Sequence, residues 1–397
     1  MRLVHLSDLH LGIRQFQRQT PAGMNQREAD VAGVFARVVD KVIALTPDIV
    51  AIAGDVFHSV RPPNPAILHA FHQLSRLRHA LPETVVVIVA GNHDSPRAVE
   101  TGCILRLFIP LGVHVVDTEP KRLSFPERGL SILAIPDVPG HKPSFDADPA
   151  ARYNVLVGHL NMPGAFPDVG YEEPAAVNIA PEDIRYEDWS YCAFGHRHSF
   201  FQLAPNAYYS GAMEYTGSNI WGERREEDKS IKGKCLIEFD LDTRKRTIHK
   251  IEPSRELHDL PPIDARGHTA SELDALIRQQ VGKVRGGIDG KIIRQVVNNI
   301  AAHVARDLDH RQLRDLRHAA LQYHLDTRRP ESLRSLPLSG GGSRRPSLME
   351  LVRDRLRAIP LEPDIDREAL VDLGLRYLAE AEAREGSPGA PPVEIEG

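Results

Sequence analysis

Five short motifs follow one another down the chain, each at the end of a short apolar run: Asp8-Leu9-His10, Gly54-Asp55, Gly91-Asn92-His93-Asp94, Gly158-His159 and Gly195-His196-Arg197-His198. Asp8, His10, Asp55, Asn92, His159, His196 and His198 together offer oxygen and nitrogen donors but no thiolate. Hard oxygens mixed with imidazoles suit Mn2+, Fe2+ or Zn2+ and argue against a closed structural zinc site. A single carboxylate can bridge two ions, and Asp55 is the candidate for it. Two ions about 3.5–4 Å apart can hold a hydroxide between them and clamp a phosphoester during in-line displacement. His93, beside a donor without needing to be one, could protonate the leaving oxygen or stabilise charge on the phosphoryl group. Asp94 could then fix the tautomer of His93. A lone Asp-x-His or Gly-Asp arises by chance and caps a turn, and Gly-Asn-His-Asp is only moderately specific because a turn also uses Asn and Asp. All five, in order, point to one dinuclear centre. His5, His69, His72, His79 and His114 lie outside the pattern and read as core or surface residues.

Positioning such a site requires strands that end together. Leu3–Leu6, Ile49–Ala53, Val85–Ala90, Ile132–Ile135 and Val155–Val157 are short, largely β-branched runs, as buried strands should be. Val31, Val34, Phe35, Val38 and Val42, and then Ile67, Leu68, Phe71, Leu74 and Leu77, fall at helical spacing between them. The alternation predicts a layered α/β core, with ligands bound where strand ends converge. Gly54, Gly91, Gly158 and Gly195 would let the backbone turn sharply there. Strands at Tyr191–Phe194, Tyr208–Ser210, Lys234–Phe239 and Thr247–Ile251 follow without helices between them, which suggests a second sheet. Pro261-Pro262 reads as a boundary, after which a helix near Ser271–Val281, a strand near Lys291–Val297 and a helix near Gln312–Tyr323 form a small α+β unit. The reading therefore divides the chain into a catalytic domain over 1–258, a small unit over 259–335, a flexible linker over 336–346, a helix-loop-helix over 347–385 and a disordered tail over 386–397. Ser347 and Glu350 form a capping-box pattern at the start of the first terminal helix.

Composition narrows the setting. With 397 residues, 42% of them hydrophobic and 26% charged, the chain has enough apolar content for more than one core. Cys103, Cys192 and Cys235 are far apart and suggest neither a disulfide framework nor a redox pair. The opening MRLVHLSDLH lacks the apolar run of a signal peptide, and no apolar stretch is long enough for a membrane span, so a cytoplasmic protein is expected. The net charge of −5 is uneven: residues 278–334 hold 12 Lys/Arg against 6 Asp/Glu, which can mark a nucleic-acid face. No Gly-x-x-x-x-Gly-Lys-Ser/Thr loop occurs, so any control by ATP would have to act through another chain.

The motif order resembles the calcineurin-like metallophosphoesterase superfamily. Leu6-Ser7-Asp8-Leu9-His10-Leu11-Gly12, Gly54-Asp55-Val56-Phe57-His58, Arg61-Pro62 and Ala193-Phe194-Gly195-His196-Arg197-His198 narrow the resemblance to the SbcD-type DNA exonuclease subunit, the bacterial counterpart of the eukaryotic meiotic-recombination nuclease. The Tyr209-Ser210-Gly211 step and Lys232-Gly233 ahead of a final strand are similar too. The resemblance implies an α/β fold: a four-layer α-β-β-α sandwich, a small α+β capping domain and a C-terminal helical pair. It puts Asp8, His10, Asp55 and His198 on one metal, and Asp55, Asn92, His159 and His196 on the other, with Mn2+ the leading ion and Mg2+, Fe2+ or Zn2+ as alternatives. It makes His93 a catalytic residue without metal, supported by Asp94, and brings His58 and Arg61 to the substrate. The implied activity is that of a DNA repair nuclease, a 3'-5' double-strand exonuclease and single-strand endonuclease. The implied partners are DNA and an SMC-like coiled-coil ATPase of SbcC type docked on residues 347–385, in a heterotetramer built on a homodimer near the nucleoid. Residues 224–232 are a departure, longer and more charged than the turn expected there. Two other readings share the metal motifs: a phosphoesterase for small or protein substrates, and a DNA-end-binding assembly subunit with vestigial catalysis.

Overall fold

The computed structural model describes residues 1–96, 102–140, 143–165, 175, 177–330, 348–358 and 366–385, in two units, 1–330 and 331–397. The linker 336–346, Ser347 and the tail 386–397 lie outside the described residues. The first unit opens with β1 (Arg2–Leu6), α1 (Gln26–Leu45), β2 (Ile49–Ile52), α2 (Asn64–Ala80), β3 (Val85–Val89) and, after a 3-10 segment at Ile104–Leu111, β4 (His114–Val116). It continues through β5 (Lys121–Phe125), β6 (Leu130–Ile135), β7 (Tyr153–His159), β8 (Tyr191–Gly195), β9 (Phe201–Ala204) and β10 (Ala207–Tyr209). Helix α3 (Ile220–Lys229) precedes β11 (Lys234–Asp240), β12 (Arg246–Ile251) and β13 (Leu257–Asp264). The unit closes with α4 (Ala270–Gly282), β14 (Ile292–Asn298), α5 (Ala302–Arg306), α6 (His310–Ala319) and β15 (Gln322–Thr327).

Two six-stranded sheets stack face to face, in the orders β12-β11-β1-β2-β3-β4 and β5-β6-β7-β8-β10-β9. Period-two alternation sorts their side chains. Leu3, Ile49, Ala51, Val85 and Val87 face the second sheet, whereas Val4, Leu6, Val50, Ile52, Val86 and Ile88 face α1 and α2. Both faces of β1, β2 and β3 are thus buried, which is why these strands are almost wholly apolar. Among the described residues, the outer face of the second sheet is covered by Leu160, Met162, Ile184 and Trp189. The pairs β1–β2, β2–β3, β6–β7 and β7–β8 are parallel, so the carboxyl ends of β1, β2 and β3 and those of β7 and β8 each lie side by side.

A third, all-parallel sheet, β13-β14-β15, packs on α4 and α6 through Ile263, Leu273, Ile277, Ile293, Val297, Leu313 and Tyr323. The prolines at 261–262 do not break the chain as expected. They lie inside edge strand β13, where the register shifts between Leu260 and Ile263 and a missing amide proton is tolerated. The single helix expected at Gln312–Tyr323 is also corrected: α6 ends at Ala319, the backbone at Ala320 is extended, and Gln322–Thr327 pairs with β14. In the second unit, α7 (Leu348–Ala358) and α8 (Arg367–Glu385) are joined by Arg367, which donates to the Arg357 carbonyl at 2.6 Å, and by the ion pair Arg357–Glu368 at 3.3 Å.

The third sheet is tied to α1 by charge. Arg255, just before β13, donates to both oxygens of Asp30 at 2.9 and 2.8 Å, and Asp30 also lies 3.3 Å from the fully buried Arg27. Burial alone would raise the Asp30 carboxyl, but hydrogen bonds from Arg255 and Gln26 and the nearby guanidinium charges bring it below its ordinary value. Asp30→Asn leaves a buried guanidinium short of a partner and should cost about 3 kcal/mol at neutral pH. Urea unfolding of both proteins across pH checks this. The difference should be complete above the unfolded aspartate value of about 3.9 and fade as pH falls through the lower folded value.

Candidate metal centre

The turns after β1 and β2 are laced together before any side chain is considered. The amides of Asp8, His10 and Leu11 donate to the carbonyls of Gly54, Asp55 and Val56 at 3.0, 2.9 and 2.9 Å. To turn this tightly, Asp8, His10 and Asp55 adopt φ values of 53°, 46° and 52°, and His196, after β8, adopts 98°. Side chains other than glycine rarely occupy this left-handed region, and they persist there when surrounding contacts over-determine them. Gly91 is required by close approach: a Cβ there would lie 2.0 Å from the Asp55 Oδ1.

Three groups of His and Asp side chains at this rim could hold a metal: Asp8, His10 and His198; Asp8, Asp55 and His159; and His10, His58 and His93. The Asp55 Oδ2 lies 3.7 Å from the His10 Nε2 and 3.5 Å from the His159 Nε2, so one carboxylate reaches both sides. The Asn92 Oδ1 lies 2.9 Å from the His159 Nε2 and 3.3 Å from the His196 Nδ1. The Nε2 atoms of His10 and His198 are 2.9 Å apart. His58 stacks on His93 with ring centroids 5.2 Å apart, and its Nδ1 is 3.3 Å from the His10 Nδ1.

Tautomers follow from the outward nitrogens. His159 places Nδ1 2.9 Å from the Ala53 carbonyl, so that nitrogen donates and Nε2 presents a lone pair to the rim. That lone pair faces the Asn92 oxygen, and two acceptors 2.9 Å apart require a proton or a cation between them. The donor set therefore fits divalent ions: two ligands each about 2.1 Å from one ion stand roughly 3 Å apart.

The electrostatics are set by burial and mutual charge. Burial, and then the imidazoles of His198, His93, His58 and His159, push His10 far below the ordinary histidine value. Burial would also lower His159, but the carboxylates of Asp55 and Asp8 carry it above that value. Burial raises the Asp55 carboxyl, with Asp8 adding to the effect and His159 and His93 opposing it.

Two sequence-based expectations change. Asp94 does not fix the tautomer of His93. Its carboxylate accepts from the amides of Val56, Phe57 and Gly91 at 3.1, 3.0 and 3.1 Å, whereas the His93 Nδ1 lies 2.7 Å from the His58 carbonyl. Asp94 thus ties the turn after β2 to the turn after β3, and burial together with the Asp55 charge pushes its carboxyl up to about 7. Residues 224–232 are not an enlarged turn. Most of them extend α3, whose Glu223, itself buried, accepts from the His198 Nδ1 at 3.3 Å. Arg61 is exposed and lines a shallow surface cavity with Pro62, Ile67, Cys103, Ile104 and Leu107. Sequence reading missed Glu223, and also Ser7, whose hydroxyl donates to the Asp8 Oδ2 at 2.5 Å and meets the Ser210 hydroxyl at 2.9 Å. The signal for Glu223 was its i, i+4 spacing with Glu227, both within a turn or two of the apolar Ile220.

Residues 1–200 match the family described as calcineurin-like phosphoesterase. The chain is 31% identical over 255 residues to the DNA double-strand break repair protein Mre11 of Sulfolobus acidocaldarius, covering 61% of each chain. It is 29% identical over 304 residues to the protein of the same name from Sulfurisphaera tokodaii, covering 72% of this chain and 70% of that one. Against the SbcD subunit of the nuclease SbcCD of Rhodobacter capsulatus it is 25% identical over 264 residues, covering 55% and 62%. The match thus spans less than two thirds of the Sulfolobus and Rhodobacter proteins.

Asp94→Ala would strip the acceptor from three buried amides at once, at roughly 1–3 kcal/mol for an unsatisfied group. The expected result is a lower unfolding midpoint together with loss of bound metal. A variant of normal stability and metal content would remove the role of Asp94 in joining the two turns.

Proposed function

Because the chain belongs to the calcineurin-like phosphoesterase family, we propose that it is the nuclease subunit of an SbcCD-like DNA repair complex, hydrolysing backbone phosphodiesters at a dinuclear Mn2+ site. The observation that carries this reading is the reach of Asp55 toward both His10 and His159 across one buried rim. Asp8, His10, Asp55 and His198 would hold one ion, and Asp55, Asn92, His159 and His196 the other. When bound, two such ions supply an activated water and offset charge on the phosphoryl oxygens. His93, with Nδ1 on the His58 carbonyl, would exchange a proton with the leaving sugar oxygen through Nε2. His58, stacked beside it, would contact the phosphate, and Arg61 the nucleic acid further out.

The wider assembly belongs to the same proposal. The names of the relatives concern DNA break repair and a nuclease subunit, which favours DNA over small or protein phosphoesters. The third sheet, with residues 278–334 around it, would cap the DNA. The helical pair α7–α8 would dock on an SMC-like coiled-coil ATPase; Leu373 and Tyr377 of α8 are 38% and 63% exposed and available for such a contact. Leu68, Phe71, Leu107 and Ile109 are likewise exposed apolar residues, on α2 and the 3-10 segment beside it, and support a homodimer within a heterotetramer. Among the described residues no helix is long and apolar enough to cross a membrane, in keeping with the proposed cytoplasmic, nucleoid-associated setting. Both 3'-5' exonuclease action on duplex ends and endonuclease action on single strands are part of the proposal.

Metal analysis and a labelled-DNA assay test it. Purified protein should carry two ions per chain and cut linear duplex or single-stranded DNA with Mn2+, and a chelator should stop it. His93→Ala should keep its metal and lose cutting by about 10²–10⁴-fold. Robust turnover of a cyclic nucleotide or a phosphoprotein with DNA untouched would overturn the proposal. Deleting residues 347–385 should abolish binding of the ATPase and leave metal content unchanged; surviving binding would sink the docking assignment.

A further inference from the structure

The charged segment after β10 is a short helix whose buried face carries acids. Asn219 caps it by accepting from the Gly222 amide at 3.0 Å, and Glu223 follows one turn later. Both carboxylate oxygens of Glu223 are engaged. Oε1 accepts from the Gly217 amide at 2.8 Å and faces the His198 Nδ1 at 3.3 Å, while Oε2 accepts from the Lys234 Nζ at 3.0 Å. Lys234 is itself buried. It pairs with Glu227 at 2.7 Å, donates to the His198 backbone carbonyl at 3.1 Å and sits over the Tyr215 ring at 4.4 Å. The ring and the backbone of His198 are therefore held by two ends of one ion pair. The space around this contact is closed, because a Cβ on Gly217 would lie 2.1 Å from the Glu223 Oε1 and 2.9 Å from the His198 Nδ1. The helix does not float free of the rest of the unit either. Its Trp221 stacks under the Arg294 guanidinium of β14 at 4.8 Å, and Arg294 is bound to Asp259 of β13.

We infer that Glu223 is the positioning residue for His198, holding its imidazole in the Nδ1–H form at one ring angle so that Nε2 points into the rim. The inference rests on the metal centre proposed above and deepens it. An imidazole that donates one N–H to a fixed carboxylate has its tautomer and orientation set before an ion arrives, and its other nitrogen becomes a stronger ligand. The rival account is that Glu223 serves only as counter-ion to the buried Lys234. Glu227 separates the two, since it pairs with the same lysine but has no contact with His198 among those described.

The test compares Glu223→Ala and Glu223→Gln with Glu227→Gln and Gly217→Ala in the full-length chain. Mn2+ affinity is measured by titration calorimetry, and the His198 tautomer by imidazole 15N shifts in metal-free protein. Both Glu223 variants and Gly217→Ala should bind Mn2+ about 10–100-fold more weakly than wild type, with His198 shifting toward the Nε2–H form. Glu227→Gln should lose thermal stability through its lost ion pair and keep both the affinity and the tautomer. Wild-type affinity and tautomer in Glu223→Ala and Glu223→Gln would overturn the inference, as would equal losses in Glu227→Gln. If wild-type protein itself fails to bind Mn2+, the metal-centre reading falls. The tautomer arm, read without metal, still decides the role of Glu223.

Discussion

Lone pairs crowd the rim where β1, β2, β3, β7 and β8 end, more densely than a protein interior tolerates without positive charge. Asn92 and His159 turn acceptors toward one another, Asp8 and Asp55 stand beside them, and Asp8, His10, Asp55 and His159 are buried while the other donors are partly covered. In water these groups would be solvated separately, but at the rim they are held together with much of their solvation removed. The rest of the first unit can be understood as what keeps them from separating. Backbone hydrogen bonds lace two turns, the Asp94 carboxylate ties in a third, and the parallel register fixes the height at which each strand delivers its donor. Four residues of the proposed ligand set hold left-handed backbone, a local cost accepted only where neighbours leave no alternative.

Much of this was legible in the sequence because the constraint acts on residue type. A buried parallel strand must be apolar throughout, and a donor at its end must be polar, so each motif stands out as an abrupt change after a β-branched run. Hence the strands of the two large sheets that bear the motifs were placed within a residue or two, and the nine imidazole, carboxylate and amide groups of the rim could be named. What could not be read was which partner each polar group takes. Asp94 sits next to His93 in the chain, yet its carboxylate faces three amides of two other turns. Glu223 is 25 residues from His198 and lies in a run of charges that resembles a solvated surface. Adjacency in sequence is a poor guide to hydrogen bonding once a chain has turned back on itself.

The third sheet illustrates a different limit. Its two edge strands are half-exposed, and β13 carries two prolines, so period and composition both understate them. The helix expected at Gln312–Tyr323 runs over Gln322 and Tyr323, the first two residues of β15. The deciding feature is not local. Tyr323 is buried in the core formed with Ile293 and Val297, and a strand paired with β14 is the conformation that delivers it there. Tertiary packing overrides a weak local preference, as it commonly does for short strands.

Charge composition calls for the same care. Residues 278–334 carry a marked basic surplus, but a good part of it is spoken for within the fold. Arg294 is bound to Asp259 and stacked on Trp221, Lys291 pairs with Glu256, and Arg328 with Asp326. Arg278 donates to Gln312 and Arg306 to a carbonyl of its own helix. The ion pairs offset the charge of Arg294, Lys291 and Arg328 locally, whereas Arg278 and Arg306 are exposed and keep theirs, because their acceptors are neutral. Arg314 and Arg317 are also exposed, and with Arg18 and His318 they line a cavity between α6 and the segment ahead of α1. A polyanion is attracted by charge that solvent can reach, and this unit offers such charge on two sides: at Arg314 and Arg317 of α6, and at Lys283 and Arg285 after α4, which line a second cavity with Arg224 and Arg225.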